Sequence, residues 1–191
     1  NGRGFGGKVT DIRQEEPLGL AHALKVSKDF LGDSPFVMYL GDNLIASGIS
    51  DLVENFRGKK SNAMILLARV PEPERFGVAE LSGNKVVKLV EKPKQPRSDL
   101  ALVGVYMFDE NIMQAVESIK PGSRGELEIT DAIQWLLDKG LDVESHVVEG
   151  WWKDTGRVED LLEANRMTLD RIETDIRGRV EGIQVNTKSA V

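Results

Sequence analysis

Short strand-like segments alternate along the chain with longer segments whose apolar residues have helical spacing. The strand-like segments read "FVMYL" at 36–40, "AMILLARV" at 63–70, "LALVGVYMFD" at 100–109 and "VESHVVEG" at 143–150. The helical spacing predicts helices over Leu18–Leu31, Ile49–Phe56, Glu110–Ile119, Leu127–Lys139 and Val158–Ile172. Short strands that are apolar throughout and separated by helices are typical of a mostly parallel sheet covered on both faces. The pattern therefore predicts an α/β fold.

Two further strand predictions concern the middle and the beginning of the chain. "FGVAEL" and "KVVKLVEK" flank Ser82-Gly83-Asn84, which is a hairpin signal and adds antiparallel strands to the sheet. A strand is also expected just before Gln14, where the chain leads into the first helix.

The pattern changes after Thr174. Apolar residues in "DIRGRVEGIQVNTKSAV" (175–191) alternate with glycines and charges. We therefore expect residues 1–174 to form one domain and residues 175–191 to begin a β-rich second one. The chain begins with Asn1 in a glycine-rich stretch, so we also expect part of the protein to precede it.

Composition limits the classes of function. The 191 residues are 40% apolar and 29% charged, as in a water-soluble globular protein, and no apolar stretch is long enough to cross a bilayer. The net charge of −6 argues against a general nucleic-acid binder. The chain has no cysteine, which excludes disulfides, thiolate zinc sites and a cysteine nucleophile, and is compatible with the cytoplasm, where we expect the protein. Small molecules are the expected partners, rather than nucleic acid or a membrane.

Two aspartates follow predicted strands directly. Asp42 ends "FVMYLGDN", and Asp154 lies in "GWWKDTG" after the strand that ends near 150. Ligands of open α/β sheets bind beyond the carboxyl ends of strands, and Mg²⁺ is typically held by one or two carboxylates together with substrate phosphates. The two side chains could therefore share one Mg²⁺ ion. Each could equally cap a turn or a helix, and the local sequence leaves both interpretations open.

Three other stretches offer polar groups at the ends of elements. In "QEEPLGLAHAL", Gln14 could read the edge of a base and Gly19 could let a planar group approach the backbone, although a helix start led by Pro17 needs no ligand. Glu91 and Lys92 could bind sugar hydroxyls and a phosphate, or form an exposed ion pair. The acidic residues of "RGELEITDA" are largely explained by helix electrostatics, which leaves Glu126 for a substrate.

The order of these stretches resembles the sugar-phosphate nucleotidylyltransferases. The motifs are "QEEPLGLAHA", "FVMYLGDN", "RFGVAEL", "EKPKQP", "LVGVYMFD", "RGELEITDAI" and "GWWKDTG". The nearest match is to glucose-1-phosphate thymidylyltransferases and their uridylyltransferase relatives, and it runs from about Gln14 to Asp170. The resemblance implies a Rossmann-like three-layer sandwich of the nucleotide-diphospho-sugar transferase type.

The resemblance also implies a reaction and a set of residues. A glucose 1-phosphate oxygen attacks the α-phosphorus of dTTP or UTP and pyrophosphate leaves, with Mg²⁺ bound by Asp42 and Asp154. These two aspartates and Lys92 are the implied catalytic residues, and a homo-oligomer is expected. The implied nucleotide-binding residues are Gln14, Pro17, Gly19 and Asp42. The implied residues of the sugar-phosphate pocket are Gly77, Glu91, Lys92, Val103, Tyr106, Glu126 and Trp152.

The sequence departs from the family pattern at its beginning. The family starts with a strand and a glycine-rich loop whose cations grip the triphosphate, and "NGRGFGGK" does not match that segment. We therefore expect the 191-residue chain to be inactive alone. The tail resembles the lead-in to a left-handed β-helix. Two alternatives stay open, namely a bifunctional enzyme with a C-terminal acyltransferase and a non-catalytic subunit that binds a nucleotide sugar.

Overall fold

The computed structural model describes residues 6–172, which form an α/β fold of two sheets and six α-helices. The strands are β1 Phe36–Tyr39, β2 Asn43–Ile45, β3 Ala63–Arg69, β4 Gly77–Ser82, β5 Lys85–Glu91, β6 Leu100–Phe108, β7 Val143–Val147 and β8 Trp152–Asp154. The helices are α1 Leu20–Val26, α2 Lys28–Leu31, α3 Ser50–Gly58, α4 Asn111–Ser118, α5 Ile129–Asp138 and α6 Val158–Leu169.

The main sheet is built around β6, whose nine residues are all buried. Its strand order is β5-β4-β6-β3-β7, and β1 pairs with the end of β6 on the edge opposite β3. The register places Phe36 and Ala63 on either side of Phe108. β2 and β8 form a separate two-stranded antiparallel ribbon.

The sheet is mixed, as predicted, but the prediction that it is mostly parallel was wrong. Among the described residues, β3 and β7 form the one parallel pair, and the other pairs are antiparallel. The apolar runs at β3 and β6 reflect burial on both faces of the sheet. A central antiparallel strand covered by helices needs the same composition as a parallel one, so the runs carry no information on strand direction.

The core lies between the sheet and the helices on its two faces. Helices α1, α4 and α5 pack against one face of the sheet through buried residues that include Leu24, Ile112 and Ile133. Phe56 of α3 packs on the other face against Met64 and Met107. This arrangement is the three-layer sandwich that the resemblance implies. Within the described range no helix combines the length and the apolar character that a bilayer crossing requires.

Most predicted elements are confirmed with shifts of a few residues at their ends. The helix predicted over Leu18–Leu31 is divided at Ser27, whose hydroxyl donates to the Ala23 carbonyl at 2.9 Å. The strand expected before Gln14 is absent from the described residues, and Val9 in that stretch is 57% exposed. The predicted β-rich tail at 175–191 lies outside the described residues.

Candidate active site

The ribbon of β2 and β8 brings the two predicted metal-binding aspartates together. Asn43 pairs in register with Asp154, so Asp42 precedes one strand where Asp154 ends the other. The backbone N–H and the hydroxyl of Thr155 both donate to the Asp42 carbonyl at 2.8 Å. These bonds hold the segment around Asp42 against the segment around Asp154 and Thr155, so the two carboxylates are kept close together.

The two carboxylates both lie close to Gly156. A Cβ atom at this glycine would lie 3.1 Å from Asp154 Oδ1 and 3.9 Å from Asp42 Oδ2. The two oxygens are therefore no more than the sum of these distances, about 7 Å, apart. The Gly156 N–H donates to Asp154 Oδ1 at 2.8 Å. The missing side chain leaves open the space that both carboxylates face.

Two carboxylates and an open space suit a hard divalent cation. Mg²⁺ prefers oxygen ligands and usually keeps several waters, so it is bound by one or two carboxylates plus substrate phosphates. In the described part of the chain, no cluster of three or more His, Cys, Asp or Glu side chains could hold a metal ion by itself. The donor set fits Mg²⁺ held jointly with a phosphorylated ligand.

A cavity of about 290 Å³ adjoins the aspartates. Eight of the predicted site residues line it, namely Asp42, Gly77, Glu91, Lys92, Tyr106, Glu126, Trp152 and Asp154. A second cavity of about 480 Å³ shares Arg75, Phe76, Trp152 and Asp154 with the first. We place the candidate site in the smaller cavity because Asp42, Glu91 and Lys92 line it and do not line the larger one.

The far wall of the smaller cavity is built around Arg124. Its guanidinium donates to both carboxylate oxygens of Glu128 at 2.9 Å and to Glu91 Oε1 at 3.1 Å, and lies 3.4 Å from Glu126 Oε2. The prediction that helix electrostatics explains most of these acids was incomplete, because Arg124 pairs with two of them and with Glu91 from β5. Sequence reasoning did not assign Arg124, although it opens the "RGELEITDA" stretch.

Glu91 lies in an environment that disfavours its charge. Burial raises the pKa of its carboxyl, and Glu128 raises it further, while Lys92 and Arg124 oppose the shift. The Thr130 hydroxyl donates to Glu91 Oε2 at 3.2 Å. Its carboxylate therefore faces the cavity with one oxygen near a hydroxyl and the other near a guanidinium, an arrangement that can accept hydrogen bonds from a bound polyol.

Gly77 supplies space for this wall. A Cβ at Gly77 would lie 2.5 Å from Thr130 Cγ2 and 3.2 Å from Glu91 Oε2. Any side chain there would displace the two groups that shape this end of the cavity. Because Gly77 has no side chain, β4 can pack closely against α5, and the Gly77 backbone is left uncovered by a side chain of its own.

Trp152 and Tyr106 form apolar parts of the cavity lining. The Trp152 ring packs edge-on against Phe76 with ring centroids 5.5 Å apart. Tyr106 is 3% exposed, and burial raises the pKa of its phenol, followed by the negative charges of Glu91, Asp42 and Asp154. The phenol is therefore held in its neutral form beside three carboxylates.

Val103 differs from the other predicted sugar-side residues. Its side chain is fully buried with Leu66 and Val105, whereas Leu102, Gly104 and Tyr106 of the same strand line the cavity. Because successive side chains of a strand point to opposite faces, Val103 faces away from the cavity. Any contact of Val103 with a ligand would have to be made by its backbone.

The predicted nucleotide-binding residues Gln14, Pro17 and Gly19 do not line the cavity, although the next residue, Leu20, does. Gln14 Nε2 lies 2.9 Å from His22 Nδ1 and donates to the Gly19 carbonyl at 3.2 Å. Gly19 has a φ of +103°, and a Cβ there would lie 2.4 Å from the Leu127 carbonyl oxygen. Packing within the protein thus requires glycine at this position, and sequence reasoning had not assigned a role to His22.

Asn43 is the buried polar hub between these parts. Its Oδ1 accepts hydrogen bonds from Trp152 Nε1 at 2.7 Å and from the Gly104 N–H at 3.0 Å. Its Nδ2 donates to Asp42 Oδ1 at 2.8 Å. One carboxamide therefore joins β6, β8 and the Asp42 carboxylate.

Comparison with known proteins identifies the family. A profile of the nucleotidyl transferase family matches residues 1–171. The chain belongs to this family. The resemblance of its ordered motifs to nucleotidylyltransferases is thereby confirmed.

Curated members of the nucleotidyl transferase family are close in sequence. The chain is 54% identical over 182 residues to a glucose-1-phosphate thymidylyltransferase of Streptomyces griseus, covering 95% of this chain and 51% of the relative. It is 50% identical to the low-salt glycan biosynthesis nucleotidyltransferase Agl11 of Haloferax volcanii, covering 94% of this chain and 51% of the relative. The chain thus spans about half the length of these curated relatives.

Solved structures of similar proteins agree with the fold. A structure assigned to a glucose-1-phosphate thymidylyltransferase of Bacillus anthracis, solved with sucrose, matches with a TM-score of 0.75 and 38% identity, covering 86% of this chain and 66% of that one. A UDP-glucose pyrophosphorylase complexed with UDP-glucose matches with a TM-score of 0.76 and 26% identity, covering 84% of this chain and 66% of that one. The predicted α/β nucleotidyltransferase fold is confirmed.

Proposed function

We propose that this chain is the catalytic part of a sugar-phosphate nucleotidyltransferase. It transfers a nucleoside monophosphate from dTTP or UTP to glucose 1-phosphate and releases pyrophosphate. The observation that carries the proposal is the approach of Asp42 and Asp154 to within about 7 Å of each other, beside a cavity with an acidic and basic wall. Relatives named glucose-1-phosphate thymidylyltransferase support the choice of reaction.

The basic residues of the cavity are suited to the sugar phosphate. Lys92 carries a compact charge at the end of β5, and its side chain is 43% exposed. Arg124 adds a second positive charge on the same wall, where its Nε and Nη2 groups bond to Glu128 and Glu91. We assign the phosphate of glucose 1-phosphate to these two cations, which would hold the attacking oxygen in place.

The acidic and apolar residues are suited to the hexose. Glu91 and Glu126 would accept hydrogen bonds from sugar hydroxyls, while Trp152 and Tyr106 would pack against the ring. Gly77 and Val103 would contribute backbone groups. This division of roles matches the chemistry of each side chain in the cavity.

The transfer itself requires positioning and neutralisation of charge. A phosphate oxygen of glucose 1-phosphate forms a bond to the α-phosphorus while the bond to the pyrophosphate oxygen breaks, and pyrophosphate carries the bonding electrons away. Asp42 and Asp154 would hold Mg²⁺, which when bound supplies positive charge that stabilises the phosphate oxygens in the transition state. Lys92 and Arg124 align the nucleophile against that centre.

The assignment of the base to Gln14, Pro17 and Gly19 stays a prediction. The Gln14 carboxamide nitrogen is engaged with Gly19 and His22, so donation from it to a pyrimidine would require one of these partners to be exchanged. The Gln14 carboxamide oxygen can accept a hydrogen bond from a base edge without that exchange.

One observation favours a second candidate. The chain is 36% identical over 175 residues to a relative of Methanocaldococcus jannaschii named bifunctional protein GlmU, covering 91% of this chain and 41% of that protein. A bifunctional enzyme with an acyltransferase domain would agree with this likeness. The higher identity to the thymidylyltransferases favours the first candidate. Two metal-binding carboxylates also argue against a purely non-catalytic subunit.

A substrate panel with a metal-site variant tests the proposal. Nucleoside triphosphates and sugar 1-phosphates are offered in pairs to the full-length protein, and pyrophosphate release is followed. We expect turnover with dTTP or UTP and glucose 1-phosphate, and a fall of several orders of magnitude in Asp42→Asn. The reason is that the metal supplies several kcal/mol of charge stabilisation.

The matched control is Asp33→Asn, which removes a carboxylate in the exposed turn before β1 and should leave the rate unchanged. Release of pyrophosphate with every sugar tested, or an undiminished rate in Asp42→Asn, would contradict the proposal.

Four further expectations stay predictions. They are a homo-oligomer, a cytoplasmic location, the domain boundary at 174, and inactivity of the 191-residue chain alone. The pyrophosphate assay on that chain tests the last of them.

A further inference from the structure

The hydrogen bonds of Asn43 fix the orientation of its carboxamide. Trp152 Nε1 and the Gly104 amide are donors only, so the atom that faces both of them must be the carboxamide oxygen. The nitrogen must then face Asp42, where it donates to Oδ1. Since Asn43 is only 4% exposed, a flipped carboxamide would leave buried donors facing each other.

Strand β6 is shaped to receive this carboxamide. A Cβ at Gly104 would lie 2.5 Å from Asn43 Nδ2 and 2.8 Å from Asn43 Cγ. Gly104 stands in the middle of a strand whose other residues all carry side chains, where glycine is intrinsically unfavourable. The glycine therefore leaves a recess in β6 that the Asn43 side chain fills.

The bond to Asp42 selects which of its two oxygens is free. Oδ1 is held by Asn43, and Oδ2 is the oxygen that lies 3.9 Å from the position of a Cβ at Gly156, where Asp154 Oδ1 lies 3.1 Å away. Because the two oxygens of a carboxylate are equivalent, a half turn about the Cβ–Cγ bond changes nothing, but a smaller rotation would break the bond to Asn43 and move the other oxygen away from Gly156. The Asn43 bond opposes that rotation.

We propose that Asn43 is a positioning residue that holds Asp42 Oδ2 toward Asp154 and ties this orientation to the place of Trp152 in the cavity wall. The inference rests on the proposed function, because it gives Asp42 a role toward a divalent cation. Asn43 also lines the cavity, and the role proposed for it is exerted through its bonds to Asp42 and Trp152. One carboxamide thereby couples the metal-binding side of the site to its sugar side.

A purely structural role for Asn43 makes a different forecast. If the carboxamide only holds β2 against β6 and β8, then the hydrogen bonds that its oxygen accepts from Trp152 and Gly104 account for its role. The bond to Asp42 would then have no effect on metal binding. Asn43→Asp separates the two cases. It keeps an oxygen for both donors, and it replaces the donor toward Asp42 with a second negative oxygen.

Asn62→Asp is the matched control. Asn62 Nδ2 donates to Asp109 Oδ2 at 2.8 Å and its Oδ1 accepts from the Asp142 N–H at 2.9 Å. The substitution therefore makes the same chemical change at another Asn–Asp pair, which does not line the cavity. Thermal unfolding of both variants measures how much each substitution costs the fold.

The measurement is titration with Mn²⁺ alone, used as a paramagnetic substitute for Mg²⁺, on the full chain labelled with ¹⁵N. The reporter is the Gly156 amide signal, because its N–H is bonded to Asp154. Loss of an interaction that orients a metal ligand typically weakens metal binding about 10- to 100-fold. We expect the Mn²⁺ concentration for half-broadening to rise by that factor in Asn43→Asp and to stay unchanged in Asn62→Asp.

The outcomes separate the inference from the function on which it rests. An unchanged or lowered Mn²⁺ requirement in folded Asn43→Asp overturns the positioning role. If that variant does not fold, Trp152→Phe decides, because it removes one bond that fixes the carboxamide. A several-fold rise in its Mn²⁺ requirement supports the role, and no rise overturns it. Absence of broadening at Gly156 in the unsubstituted chain, both with Mn²⁺ alone and with Mn²⁺ and dTTP together, contradicts the metal site itself, whereas the substrate panel tests the reaction independently.

Discussion

Lys92 has a backbone conformation that lysine rarely adopts. Its φ is +40°, the one positive value at a non-glycine residue in the part of the chain that the structure describes. The Lys92 N–H donates to the Phe76 carbonyl at 3.0 Å, which holds the backbone in this conformation. Such strain costs of order 1–3 kcal/mol and is concentrated at functional sites. The strain is consistent with a lysine placed for its charge.

Two substitutions of Lys92 separate its charge from its strain. Lys92→Ala and Lys92→Gly both remove the charge, so each should raise the KM for glucose 1-phosphate by about tenfold or more and change the KM for the nucleotide much less. Lys92→Gly should be at least as stable as Lys92→Ala, because glycine accepts a positive φ. Steady-state kinetics and thermal unfolding of the pair provide the measurements. Equal rises in both KM values would refute the assignment to the sugar phosphate.

Glu91 should make the stability of the protein depend on pH in a defined direction. Burial raises its pKa above the ordinary value of 4.5, so the folded chain keeps a proton that the unfolded chain releases. The contribution of Glu91 is therefore fully present below the ordinary pKa and is lost as pH rises through the raised one. Denaturant unfolding between about pH 4 and pH 7 should show Glu91→Gln gaining stability relative to the unsubstituted protein as pH increases.

Glu117 provides a contrast of opposite sign. A hydrogen bond from Lys28 lowers its pKa, so ionised Glu117 favours the folded chain. Glu117→Gln should lose stability relative to the unsubstituted protein as pH rises, by a small amount because both side chains are about half exposed. If both variants follow the same pH trend, the opposite shifts at the two carboxyls are wrong.

At the scale of elements, α1 is fastened to the loop before α5 through backbone contacts. The Ala21 N–H donates to the Leu127 carbonyl at 3.0 Å, and the Leu127 N–H donates to the Leu18 carbonyl at 2.7 Å. Gly19 lies between them without room for a side chain. The close approach of these two segments places Leu20 and the Arg124 wall around the same cavity.

Gly19→Ala should disrupt this contact between the start of α1 and the Leu127 backbone. The substitution adds a clash with the Leu127 backbone to the cost of a positive φ, so we expect a loss of several kcal/mol in the free energy of unfolding. Gly32→Ala is the matched control, since Gly32 has a φ of +57° but no atom within 4 Å of its missing Cβ. It should cost about 1 kcal/mol. Similar losses in chemical denaturation would show that the contact with Leu127 is unimportant.

The sequence predicted elements well where their residues repeat with a clear period. The helices α4 and α5 and the hairpin of β4 and β5 were found because one face of each is apolar or because a turn signal joins them. The ribbon of β2 and β8 was not found, because three residues per strand are too few to show alternation. The predicted strand direction was wrong because a strand buried on both faces, such as β3 or β6, is apolar throughout whether its neighbours are parallel or antiparallel.

At the scale of the whole molecule, the rule that ligands bind beyond strand ends predicted much of the site. It selected Asp42 and Asp154, and it selected Glu91 with Lys92 at the end of β5. The resemblance to the family added the residues that line the cavity from within strands, such as Tyr106. Arg124 and Asn43 were not assigned, because Glu91, Gly104 and Trp152, the partners that show their place in the cavity wall, are far away in the sequence.

The ribbon that joins β2 to β8 also determines when the site can exist during synthesis. Positions 42 and 154 are 112 residues apart, and closing a loop of that length costs roughly 4 kcal/mol of chain entropy before any contact compensates for it. The strands of the main sheet all end before position 148, so the ribosome can release them while Asp42 still has no counterpart. The segment around Thr155 must follow before Asp42 meets Asp154, so the approach of these two carboxylates is among the last contacts of the described fold that synthesis permits.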